Sequence, residues 1–93
     1  MALNILQVDE ILEKVDDFIR MQVNKQVPYK AVPPELLDLE KDEIIQRTRI
    51  KLWKALQKGS VEHEKAYIRR IIHTEAIDMV RRYKKTVPLP EDE

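Results

Sequence analysis

The sequence predicts an all-α protein, a three-helix bundle with a Pro-containing acidic C-terminal tail, and three observations lead there. Apolar residues recur at three- and four-residue spacing through most of the chain. The five prolines and the single glycine, Gly59, fall at the edges of those runs. At 43% hydrophobic and 37% charged, the composition suits amphipathic helices and disfavours disorder or a strand-rich fold. With 93 residues there is room for one core and one domain, and none for a catalytic domain beside a binding domain.

Val8, Ile11, Leu12, Val15, Ile19 and Val23 share one helical face, with Asp9, Glu10, Glu13, Asp16 and Asp17 between them, which predicts a first helix over residues 7–25. Pro28, Pro33 and Pro34 interrupt the pattern and make residues 26–32 a linker, because proline lacks an amide donor and pushes its predecessor out of helical geometry. Pro34 and Glu35 open a second helix, whose inner face carries Leu36, Leu37, Ile44, Ile45, Thr48, Leu52 and Leu56 as far as residue 58. A bend is expected at 38–41, where the apolar spacing slips, and Trp53 is expected to anchor this helix in the core. Gly59 ends it, and Ser60 can cap the next. A third helix follows over residues 61–84. Its stripe is Ile68, Ile71, Ile72, Ala76, Met79, Val80 and Tyr83, which leaves Arg69, Arg70, Arg81, Arg82 and Lys85 toward water. The shared core should hold Ile11, Val15, Ile45, Leu52, Ile68, Ile71, Ile72 and Met79. Residues 1–85 then form the helical domain, and residues 86–93, with Pro88 and Pro90, an extended tail.

Several function classes fall away. There is no cysteine for a disulfide or a thiolate site. The N-terminus lacks the pattern of a signal peptide, and no apolar run approaches the roughly 20 residues of a membrane span. A soluble, cytoplasmic protein that does not engage a membrane is expected. His63-Glu64 lacks the second histidine of a zinc-protease helix, since Tyr67 stands there, and His73 has no ligand-type neighbour one turn away. One glycine and no cysteine supply neither a phosphate-cradling loop nor a thiol nucleophile, so no catalytic residue, metal site or cofactor is expected. The net charge of zero hides a division: residues 1–46 hold ten acidic and five basic groups, residues 47–85 four acidic and twelve basic. Such a basic half suits either a polyanion or plain solvation.

Two segments resemble a known family. Asp42-Glu43-Ile44-Ile45-Gln46-Arg47-Thr48-Arg49-Ile50-Lys51-Leu52-Trp53 resembles the acidic-Asp-Leu-Val-Gln-Glu-Thr-Phe-x-x-Leu-Trp pattern of region two in bacterial sigma factors, particularly the compact extracytoplasmic-function group. Glu43, Gln46, Thr48 and the Leu52-Trp53 pair stand at matching positions. The segment from Ala66 to Arg82 resembles the family's next helix, with Ala76-Ile77-Asp78 and Arg81-Arg82 matching well. Arg47 replaces an acidic residue, Arg49 a usually buried aromatic, and Thr74 an Asn that helps hold promoter DNA. The resemblance covers residues 36–93, with the acidic tail similar to the start of a linker to a helix-turn-helix domain.

What the resemblance implies is a transcription-initiation domain and not an enzyme. Its second helix would dock on the coiled-coil clamp helices of the RNA polymerase largest subunit through Glu43, Gln46, Arg47 and Lys51. Its third helix and the loop before it would contact the minus-ten element of promoter DNA. Arg69, Arg70, Arg81, Arg82, Lys84 and Lys85 would meet phosphates, Thr74 would stand at the base-capturing position, and Tyr67 would offer a shelf for an unstacked base. Glu62, Glu64 and Glu75 would repel phosphates nearby. An anti-sigma protein is a further partner of such a domain. Two other readings fit the residues: a helical protein-interaction module without nucleic-acid binding, and an RNA-binding helical domain.

Overall fold

A computed structural model describes residues 5–59 and 61–86, with side chains at 6–59 and 61–83. In chain order the elements are α1 (Ile5–Gln26), a 3-10 turn (Tyr29–Ala31), α2 (Pro34–Lys58) and α3 (Glu64–Thr86). No strand occurs among the described residues.

The prolines act as expected at the first connection. The amide of Val27 still bonds the Val23 carbonyl at 3.0 Å, after which Pro28 cannot donate and the chain leaves the helix. The linker is more ordered than its composition indicates. Ala31 donates to the Pro28 carbonyl at 3.0 Å to close the 3-10 turn, and Val27 and Val32 are buried on either side of it. Pro34 occupies the first turn of α2, which runs as one helix to Lys58 and includes residues 38–41.

Gly59 ends α2 with φ of 157°, a region that residues with a Cβ rarely adopt, and its amide reaches the Leu56 carbonyl at 3.3 Å. Ser60, the expected cap, lies outside the described residues. The third helix begins three residues later than expected, because residues 62–63 form a turn. The Tyr67 amide then bonds the His63 carbonyl at 2.9 Å. Its last residue is Thr86, two beyond the expected end, while the rest of the expected tail lies outside the described residues.

Packing follows from the stripes. Of the expected core, Val15, Ile45, Leu52, Ile68, Ile71, Ile72 and Met79 are buried, and Ile11 is half-buried against them. Val8, Ile19, Val23, Val27, Val32, Ile44 and Leu56 belong to the same core. Burying each such side chain contributes about 1.5–3 kcal/mol before conformational entropy is counted. Thr48 is fully buried and donates its hydroxyl to the Ile44 carbonyl at 2.7 Å, so the polar group carries no unmet bond.

Two expectations need correction. Trp53 is not a core anchor and Leu36 is not on the inner face, since each is 37% exposed. Successive helical residues are about 100° apart, so with Leu52 pointed into the core its neighbour Trp53 must turn toward the rim. α2 lies antiparallel to both other helices. Arg49 meets Asp16 of α1 at 3.0 Å, while Lys51 meets Glu75 and Arg82 meets Glu40 across the α2–α3 seam at 2.7 and 2.9 Å.

Candidate functional site

The residues expected to meet a protein partner all lie on α2, yet they divide between two faces. Directly opposite the core runs a stripe of Leu36, Leu39, Glu43, Gln46, Ile50 and Trp53, all exposed and spaced alternately three and four residues apart. Leu39 and Ile50 are 60% and 50% exposed, far more than their apolar side chains need be on a helix with a buried face. The stripe has apolar ends and a polar centre of Glu43 and Gln46. Its signal was present in the sequence as a second apolar repeat out of phase with Ile45, Leu52 and Leu56. Assigning Trp53 to the core concealed it.

Arg47 and Lys51 stand beside the stripe, toward α3. The Glu75 carboxylate, only 7% exposed, accepts from Lys51 Nζ at 2.7 Å and from Arg47 at 3.4 Å, and Arg47 also bonds Glu43 at 3.1 Å. Burial alone would push the Glu75 carboxyl up, but the hydrogen bonds and charges of Lys51 and Arg47 outweigh it and hold it below the ordinary value. Glu75 therefore does not confront a ligand as a bare negative charge. It ties the two cations to the bundle, each still nearly half exposed.

On α3 the outward face carries Arg70, Thr74, Ile77 and Arg81. Arg81 is 72% exposed and forms only a loose pair with Asp78, 3.9 Å away. Arg82 instead bonds Glu40 of α2, which also accepts from the Tyr83 hydroxyl at 2.6 Å. That hydrogen bond, burial and the Glu40 charge raise the Tyr83 pKa above its ordinary value. The Thr74 hydroxyl donates to the Arg70 carbonyl at 3.0 Å, leaving it to offer a ligand only its lone pairs. Arg69 is exposed and lies against the Phe18 ring of α1. The side chains of Lys84 and Lys85 lie outside the described residues.

Tyr67 is half-buried against the core edge and lines a shallow open hollow with Val61, His63, Ala66 and Arg70. Lys54 and Lys58 at the end of α2, and Lys65, Arg69 and Arg70 at the start of α3, have no carboxylate partner among the described residues. These five cations lie toward the α2–α3 end of the bundle, beside Glu62 and Glu64. Among the described residues no group of three or more metal-ligating side chains converges, and no helix is long and apolar enough to cross a membrane.

A profile of the family described as Sigma-70 region 2 matches residues 37–86, spanning nearly all of α2 and the whole of α3. Neither the curated proteins nor the solved structures contain a match.

Proposed function

The chain belongs to the sigma-70 region 2 family of transcription-initiation domains, and on that premise we propose that α2 docks on the clamp helices of the RNA polymerase largest subunit while α3 and the loop before it contact the minus-ten promoter element. The exposed stripe on α2 carries this reading. Alternating three- and four-residue spacing is the pattern by which one helix seats its side chains between those of a helical partner. Ile50 and Trp53 supply apolar anchors, and Glu43 and Gln46 supply polar contacts to a partner rich in arginine and glutamate. Arg47 and Lys51 belong to the rim of that interface. An anti-sigma protein would act by covering the same stripe. Assignment to the extracytoplasmic-function group rests on the pattern over residues 42–53 and is part of the proposal, as is a cytoplasmic setting.

Arg70 and Arg81 are the phosphate contacts this reading favours on α3, with the hollow beside Tyr67 as the place for an unstacked base. Binding of single-stranded promoter DNA by the domain alone should be weak, because several cations are engaged within the bundle, and salt-dependent, because the remaining ones meet phosphates. A second reading, an interaction module without nucleic-acid binding, draws support from Arg47, Arg49, Lys51 and Arg82, which all engage in ion pairs within the bundle.

One set of measurements separates these readings. Combining Glu43→Ala with Gln46→Ala should weaken capture of a clamp-helix fragment by about 1–3 kcal/mol, the usual loss at a central contact. Unchanged capture with the helical content intact removes α2 as the docking face. Fluorescence anisotropy with matched and scrambled oligonucleotides should show binding that Arg70→Glu with Arg81→Glu weakens for both sequences alike. Absence of binding at low salt selects the interaction module, and displacement by structured RNA in preference to DNA selects an RNA-binding domain.

A further inference from the structure

Phe18 is the sole phenylalanine of the chain and lies on α1, outside the segment matched to the family. It is partly buried and packs on the core, and over its ring stand two cations of α3. Lys65 Nζ and the Arg69 guanidinium carbon are each 5.4 Å from the ring centroid. These residues are one helical turn apart, so both descend the same flank of α3 onto one ring. We propose that Phe18 is a positioning residue for nucleic-acid contact, orienting Lys65 and Arg69 along the edge where a phosphate backbone would pass. This rests on the reading of α3 as the DNA-contacting helix.

The physical distinction is between two ways of holding a cation. A carboxylate holds one by cancelling its charge, as Glu75 does for Lys51 and Arg47, and as Glu40 does for Arg82. An aromatic ring attracts the cation through its quadrupole but has no net charge, so the cation is oriented and stays positive. Lys65 and Arg69 have no carboxylate partner among the described residues and are exposed. Unheld, such long side chains would lose much rotamer freedom on meeting a phosphate. Held on Phe18, they have lost part of it before the ligand arrives. Helix α1 then contributes to binding as well as to the core, although it touches no nucleic acid itself.

The test compares the full chain with Phe18→Leu, which keeps apolar volume, and Phe18→Trp, which keeps a ring. Affinity for a single-stranded oligonucleotide at low salt should fall about two- to fivefold in Phe18→Leu, the size of part of the rotamer freedom of two long side chains, and recover in Phe18→Trp. In a Lys65→Gln, Arg69→Gln background the Phe18→Leu change should have no further effect, an outcome that loss of packing alone would not produce. Proton shifts of the Lys65 and Arg69 side chains should lie upfield in the parent and return to ordinary values in Phe18→Leu. Parent binding that is indifferent to Phe18→Leu, or a Phe18→Leu loss that persists in the Gln background, overturns this inference alone. Absence of salt-dependent binding by the parent chain overturns the reading of α3 and this inference together.

Discussion

A carboxylate 7% exposed, Glu75, joins α2 to α3 through Lys51 and Arg47. Read from the sequence, it is one more negative charge on a basic helix and an obstacle to phosphate. Its pairing depends on the register between two helices, which no local pattern carries, and only the packed structure reveals it. The consequence is measurable. Glu75→Gln should lower stability at pH 7 by about 1–2 kcal/mol, since charge-assisted hydrogen bonds become neutral ones while both cations retain access to water. The folded pKa is lowered, so the ionised carboxylate contributes fully above its unfolded value of about 4.3, and the contribution is lost as pH falls through the folded value. Urea unfolding of parent and variant should therefore converge as pH falls below the ordinary carboxylate range. A gap that stays constant throughout that fall would show that the contact is steric and not ionic.

Among the elements, α2 was the most legible in extent and the least legible in orientation. Pro34 and Gly59 mark its ends by backbone chemistry that acts within a few residues, so both boundaries follow from the chain alone. Which way Trp53 points does not. Adjacent to Leu52, an aromatic extends either the inner or the outer stripe, and the choice is made by the neighbours that crowd the inner side. The start of α3 shifted because a short turn consumed residues that local propensity allows in a helix. Gly59 permits a sharp test. No heavy atom lies within 4 Å of where its Cβ would be, so Gly59→Ala meets no clash and must act through φ alone. The expected cost is about 1 kcal/mol, visible as a lower urea midpoint at unchanged slope. No change would mean that the α2–α3 turn has an alternative geometry open to alanine.

For the whole molecule, three readings of the sequence met different fates for one reason. The helix count and the core were legible because period and composition are summed over many residues. The charge division was legible as a total but not as a surface, since Arg47, Arg49, Lys51 and Arg82 close ion pairs across helix seams that residue counts do not contain. The residues expected at the site do fall on α2 and α3, with Glu43 and Gln46 on the exposed stripe of α2 and Arg47 and Lys51 beside it. The position of α2 between its two sequence neighbours has a further consequence, in the order of events as the chain folds. Each hairpin, α1 with α2 and α2 with α3, closes through a short connection, whereas contact between α1 and α3 brings together the ends of the chain and incurs the greater loop entropy. Docking of Phe18 onto Lys65 and Arg69 should thus follow the rate-limiting barrier. In stopped-flow chevrons Phe18→Leu should speed unfolding and leave refolding nearly unchanged, whereas Leu52→Ala, fully buried on the helix that both hairpins share, should slow refolding as well. Slower refolding in Phe18→Leu would mean that the bundle closes before its hairpins are complete.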